Sequence, residues 1–252
     1  MVSIGGCVSR LELIKDVYCN RIDNCYINSN CLEILPNLPA SSIDLVITQP
    51  PSWDQFSYTS DNGAIGYGQL YDEYMNSLYI VVEELGRILK KHGNIFLAFS
   101  DFRKHGRLIS IADDLCNYIR TTKKVDLVER LILYIPNKAQ VNNPKYFANK
   151  FVWILHLTKD TYFFKKPHSV FNVLTHEIDE SSLIPDPLPY NFIDIILSYY
   201  GDKGFLALDP FCGSGSVMRL SKNFGMRSIG IDVSKTYYER YNSFVIGEYA
   251  KI

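Results

Sequence analysis

The chain has 252 residues, 47% of them hydrophobic, and a formal net charge of -1; this length and apolar fraction suit one large domain with a substantial core and exclude whole-molecule attraction to phosphate. Six cysteines without a C-x-x-C pair or a Cys/His cluster argue against a structural zinc site and, at this length, against a disulfide framework. No run of about 18 uncharged apolar residues is present to cross a membrane, so a soluble, unprocessed, cytoplasmic protein is expected.

The first predicted elements fall between residues 24 and 47. Cys25-Tyr26-Ile27-Asn28 and Ile43-Asp44-Leu45-Val46-Ile47 read as short strands around a turn-rich segment, and the second runs into Thr48-Gln49-Pro50-Pro51. Proline cannot continue a strand ladder, so Gln49 and its successors sit at the carboxyl end of a buried parallel strand. That is the edge where open α/β sheets bind ligands.

Helical spacing of Tyr74, Leu78, Val81, Leu85 and Ile88 predicts a helix over Tyr71–Lys91, with Gly93 as its stop, followed by a buried strand over 94–99 that ends at Ser100-Asp101. Beyond it come a helix over 108–118, an extended stretch over 125–135 and an aromatic-aliphatic strand over 151–157. A polar loop spans 136–145, and 164–186 shows no clear period. A helix over 190–200, a strand over 205–208, a glycine loop, a helix over 217–224 and a strand over 228–231 complete the chain. The alternation predicts an α/β, Rossmann-like fold: a mostly parallel twisted sheet, an antiparallel hairpin at one edge, and helices on both faces.

The glycine loop carries the clearest chemistry. Leu206-Ala207-Leu208-Asp209-Pro210-Phe211-Cys212-Gly213-Ser214-Gly215-Ser216 joins a strand to a helix through small residues, which lets the backbone pass close beneath a nucleoside and leaves helix amides free for it. The next strand delivers Asp232 at its end, where a carboxylate is placed to accept both hydroxyls of a ribose. No Gly-Lys-Ser/Thr follows, and no third glycine completes G-x-G-x-x-G, so the ligand expected here lacks a pyrophosphate.

Taken with this loop, the segment at Gln49 resembles the DNA amino-methyltransferases that modify the exocyclic nitrogen of cytosine or adenine. Their catalytic tetrapeptide is Asp/Asn/Ser-Pro-Pro followed by Tyr, Phe or Trp; here Gln49-Pro50-Pro51-Ser52, with Trp53 next, stands in its place. Ile65-Gly66, Tyr71-Asp72-Glu73-Tyr74, Glu84-Leu85-Gly86-Arg87-Ile88-Leu89-Lys90 and the stretch from Gly93 to Asp101 are similar to the cytosine-N4 branch. Asp209 to Gly215 and Ile229-Gly230-Ile231-Asp232 are similar to the cofactor motif and the ribose acid. The resemblance covers about residues 25–240, and the catalytic motif precedes the cofactor motif, as in the permuted beta group. RNA and protein-glutamine methyltransferases with related tetrapeptides usually show the opposite order.

The resemblance implies a single methyltransferase domain over 1–252, with a small target-recognition region within 136–186, that uses S-adenosyl-L-methionine and no metal. It implies a double-stranded DNA substrate whose target base is flipped into the site. Gln49, Pro50, Pro51, Ser52 and Trp53 are the candidate catalytic residues; Asn30, Asp209, Phe211, Gly213, Ser214, Gly215 and Asp232 are the candidate cofactor residues, with Pro187 to Ile196 also touching the ligand. Three residues depart from the pattern: the neutral Gln49, which leans towards cytosine N4; Ser52, which cannot stack on a base unless Trp53 or Phe56 takes that role; and Asn30, where aspartate is usual. Adenine-N6 methylation is the alternative, and a methyltransferase-fold partner protein without turnover is the alternative of another class.

Expected partners are DNA, a second copy of the chain in a homodimer, and a cognate restriction endonuclease; no membrane is among them. Phosphate contacts are expected from Arg103-Lys104-His105-Arg107, from Lys138, Lys145 and Lys150, and from Lys165-Lys166, with Asn137, Gln140, Asn142 and Asn143 for base edges. His156 and His176 are read as structural.

Overall fold

The computed structural model of the protein describes residues 9–53, 64–136, 149–160, 172–175 and 188–249. In chain order the first elements are α1 (Arg10–Tyr18), β1 (Asn24–Asn28), α2 (Cys31–Ile34), a 3-10 turn (Leu35–Asn37), β2 (Ile43–Thr48), α3 (Tyr71–Ile88) and β3 (Leu89–Phe99). There follow β4 (Phe102–Lys104), β5 (Arg107–Ile109), α4 (Ile111–Thr122), β6 (Asp126–Tyr134), β7 (Phe151–Thr158) and β8 (Val173–Thr175). The last are α5 (Tyr190–Tyr200), β9 (Leu206–Asp209), α6 (Ser216–Asn223), β10 (Arg227–Asp232) and α7 (Lys235–Tyr249).

The main sheet runs β1-β10-β9-β2-β3-β7-β6-β8. From β1 to β3 every pairing is parallel; β7 alone runs against its neighbours, and β8 lies parallel to β6. The expected hairpin is β6–β7, with β8 closing that edge.

Period-two alternation divides the core between two faces. Ile95, Leu97 and Phe99 of β3 face α1 to α4, whereas Phe96 and Ala98 face α5 and α6. A smaller cluster joins Tyr26 and Met218 to Tyr237, Tyr238 and Tyr241 of α7. The result is the three-layer Rossmann-like arrangement expected from the alternation of elements.

Several boundaries differ from the sequence reading. The helix α3 stops at Ile88 because Leu89 turns extended (ψ 135°). Residues 90–93 then fall in an irregularity where the β2–β3 register jumps from Ile43↔Leu89 to Leu45↔Asn94. Lys90 uses this geometry to donate to both carboxylate oxygens of Asp44 at 2.8 Å, and Oδ2 of Asp44 also accepts from Leu206 N at 2.9 Å. A buried carboxylate thus pins the start of β9 to β2. Gly93 is no helix stop: a Cβ there would lie 2.9 Å from the Asp44 carbonyl oxygen.

The helix expected from 108 begins at Ile111, because 107–109 pairs with 102–104 as the β4–β5 hairpin. The helices α1 and α7 were not foreseen, although α1 carries a sequence-visible capping box. Glu12 N donates to Ser9 Oγ at 3.3 Å, and Ser9 N donates to Glu12 Oε2 at 2.8 Å. Among the described residues no helix is long and apolar enough to cross a membrane.

Candidate active site

The carboxyl ends of β1, β10, β9 and β2 open on one cleft. β9 lies between β10, which follows it in the chain, and β2, which precedes it by a long separation, and such a junction is where α/β sheets leave a crevice. The wall from the β2 side consists of Gln49, Pro50, Pro51 and Ser52, with Gly66 and Tyr67 beyond them. The wall from the other side consists of Asp209, Phe211, Gly213, Ser214 and Asp232, with Asn30 following the end of β1. Apolar side chains of Leu188, Ile193 and Val217 complete it. Of the catalytic and cofactor candidates named from sequence, all but Trp53 and Gly215 line this common space.

Trp53 is turned to a different task. Its ring stands edge-on to Tyr71 at 5.0 Å, Lys104 Nζ lies 3.8 Å over it, and its Nε1 donates to the Gln69 carbonyl at 2.8 Å. It fastens the Gln49–Ser52 loop to α3 and the β4–β5 hairpin. Gly215 precedes α6 with φ +79°, and a Cβ there would come within 2.6 Å of the Tyr241 ring. Only glycine satisfies both the left-handed backbone and the close approach of α7.

The tetrapeptide is held from behind. Tyr74, fully buried on α3, donates from Oη to the Pro51 carbonyl at 2.8 Å. Thr48, the last residue of β2 and fully buried, donates to Asp209 Oδ1 at 2.6 Å. Gln49 makes no hydrogen bond with another described residue, so its amide remains available to a ligand.

Around the glycine loop most amides are already used. Phe211 N donates to Asp209 Oδ1 (3.1 Å), Cys212 N to the Ile231 carbonyl (2.9 Å), Gly213 N to Asp232 Oδ2 (2.8 Å) and Gly215 N to the Cys212 carbonyl (2.7 Å). The loop is therefore tied down internally, and the amides of the first turn of α6, those expected from sequence to be free, are not among these donors. Tyr26 adds a bond from its Oη to the Gly213 carbonyl at 2.8 Å.

Both carboxylates are electrostatically perturbed. Burial pushes Asp209 up to about 7, opposed by the hydrogen bonds from Thr48 and Phe211 and reinforced by the nearby Asp232. Burial also raises Asp232, opposed by the N–H groups of Ser234 and Gly213, each 2.8 Å from one carboxylate oxygen. Each Asp232 oxygen keeps a further acceptor site, which fits a pair of vicinal hydroxyls. Asn30 acts locally as the N-cap of α2, accepting from Leu32 N at 2.9 Å.

The basic group Arg103, Lys104, His105 and Arg107 occupies the β4–β5 hairpin, with His105 and Gly106 at positive φ as the turn. His156 is buried and does not line the cleft; it lies between Glu129 (3.1 Å) and Asn94 (2.9 Å), stacked on Phe96. Phe56, His176, Pro187, Lys138, Lys145, Lys165, Lys166, Asn137, Gln140, Asn142 and Asn143 lie outside the described residues. Thr48, Tyr67, Gln69 and Tyr74 are not among the site residues expected from sequence. A Gly-Tyr-Gly turn just ahead of an amphipathic helix was the available signal for Tyr67.

Known proteins match the chain over most of its length. The model of a DNA methylase family, the N6/N4 type, matches residues 43–243. Type II methyltransferase M.HpaI of Haemophilus parainfluenzae is 24% identical over 233 residues, covering 86% of this chain and 73% of its own. The structure of PvuII DNA methyltransferase (cytosine-N4-specific) superposes with a TM-score of 0.74 at 18% identity, covering 88% of this chain and 86% of that one. TTHA0409 of Thermus thermophilus, solved in complex with S-adenosyl-L-methionine, superposes with a TM-score of 0.68 at 18% identity, covering 88% and 93%.

Proposed function

Because the chain belongs to the N6/N4 DNA methylase family, we propose that its cleft binds S-adenosyl-L-methionine and a flipped cytosine, and that it methylates N4 at a specific duplex site. The observation that carries this reading is the single cleft shared by Gln49-Pro50-Pro51 and the Asp209–Asp232 pair, bridged by the Thr48–Asp209 hydrogen bond. The cofactor supplies an electrophilic methyl group on a sulfonium. Asp232 would hold its ribose hydroxyls, and Phe211, Val217, Ile193 and Leu188, which line the same cleft, would supply its apolar contacts.

An exocyclic amine is a weak nucleophile because its lone pair is conjugated into the ring. Accepting its hydrogen bonds frees electron density at nitrogen and fixes its direction of attack. Gln49 Oε1 performs this at the side chain, and the Pro50 carbonyl at the main chain. Tyr74 and the two prolines keep that turn from moving. The neutral amide of Gln49 favours cytosine over adenine, as does the fold likeness to a cytosine-N4-specific enzyme.

We place target recognition within 136–186, apart from β7, whose residues are largely buried in the sheet. The β4–β5 hairpin and Lys150 supply phosphate contacts. Incubation with labelled cofactor and unmethylated DNA, followed by mass spectrometry of nucleosides, tests the assignment. N4-methylcytosine is expected; N6-methyladenine alone would reverse the base assignment, and no incorporation into any DNA would favour a partner protein without turnover.

A further inference from the structure

The cleft has an aromatic ring on the tetrapeptide side that the motif itself does not contain. Ser52 offers no face for a base, and Trp53 is occupied by Tyr71, Lys104 and Gln69. Tyr67 lines the same cleft wall and leaves 47% of its surface open. It sits next to Gly66, where a Cβ would lie 3.3 Å from the Ser52 carbonyl oxygen.

The turn that carries this ring is fixed at three points. Tyr67 N donates to the Ala64 carbonyl at 3.2 Å, and Gly66 at its third position has φ +90°, the geometry of a type II turn. Gly66 N donates to Gln69 Oε1 at 2.7 Å, while the Gln69 carbonyl receives Trp53 Nε1. Ile65 is buried in the core beneath it. The backbone that carries the ring is thus held before any ligand arrives, so little loop order remains to be lost when a flat partner stacks on it.

We propose that Tyr67 supplies the aromatic face on which the flipped target base stacks, a role moved from the fourth position of the tetrapeptide to the turn ahead of α3. This inference rests on the DNA-methylating reading above. Among the described residues the other cleft aromatics, Phe211 and Tyr237, belong to the glycine loop and to α7, on the opposite wall. The ring face, rather than the hydroxyl, is the operative feature.

Tyr67→Phe, Tyr67→Leu and Tyr67→Ala test it through initial rates of methyl transfer to unmethylated plasmid DNA, alongside calorimetric affinity for S-adenosyl-L-methionine. Tyr67→Phe keeps activity within about twofold. Tyr67→Leu and Tyr67→Ala lower kcat/KM for DNA by about 10- to 100-fold, the range for losing one base–aromatic stack, with cofactor affinity within about twofold of wild type. Retained cofactor affinity also certifies that the variants fold. Equal activity in Tyr67→Ala and wild type would overturn the inference, as would a loss confined to cofactor affinity. A wild-type protein that transfers no methyl to DNA would overturn the functional reading, and this inference with it.

Discussion

Thr48 and Asp209 stand 161 residues apart in the chain and meet through a 2.6 Å hydrogen bond at the ends of adjacent parallel strands. The bond joins the residue before Gln49 to the residue that opens the cofactor loop. It links the two halves of the cleft directly, and it lies where water does not reach.

Thr48→Val preserves the branched shape of the side chain but removes the donor. A buried carboxylate that loses a hydrogen bond costs about 1–3 kcal/mol, so chemical denaturation is expected to show a stability loss of that size. Thr48→Ser retains the hydroxyl and is expected to recover most of it. Equal stability of Thr48→Val and wild type would show that the bond contributes nothing.

Asp209 gives the fold a pH dependence with a definite sign. Its folded value, about 7, lies above the ordinary 3.8, with burial as the main cause. The native state therefore binds this proton more tightly than the unfolded chain does. Its contribution is fully present below the ordinary carboxylate value and is lost as pH rises through about 7. Asp209→Asn is expected to flatten stability between about pH 4 and 7 relative to wild type. Denaturation midpoints measured across that interval check it, and parallel profiles for the two proteins would contradict the assignment.

Asp232 carries the ribose in the proposed mechanism while its two oxygens also hold Gly213 and Ser234. Asp232→Ala is expected to weaken S-adenosyl-L-methionine about 10- to 100-fold, the range for losing hydrogen bonds to a charged group. Titration calorimetry reads this directly. Unchanged affinity would remove Asp232 from the ligand site.

Elements with strong local signals were legible in the sequence, and relationships between distant segments were not. The apolar run ending at Pro50-Pro51 and the strand–glycine loop–helix–Asp232 unit were both placed correctly, because strand burial and proline are local signals. The end of α3 was misjudged because Lys90 and Lys91 continue a helical pattern that Asp44, 46 residues away, converts into strand by binding Lys90. Trp53 looked like a free ring because nothing in its neighbourhood reveals Tyr71 and Lys104 beside it. The close approach of Tyr241 on α7 to Gly215 is hidden for the same reason. Tyr74 reads as an ordinary helix residue because the Pro51 carbonyl that it bonds lies 23 residues away, and Tyr67 carries no signal beyond the glycines that flank it.

The placement of β9 between β2 and β10 also bears on how the chain acquires its shape during synthesis. Until residues 206–232 leave the ribosome, β1 lacks β10, its sheet neighbour, and β2 presents a bare apolar edge. Until then the growing polypeptide has one partial sheet, from β2 to β8, and a lone strand, β1. Pairings of such sequence separation close slowly, and uncovered edges recruit other chains. The segment from β9 to β10 is therefore the part whose arrival turns an aggregation-prone nascent chain into a finished sheet, and slowing translation ahead of Leu206 should lower soluble yield more than slowing it after Asp232.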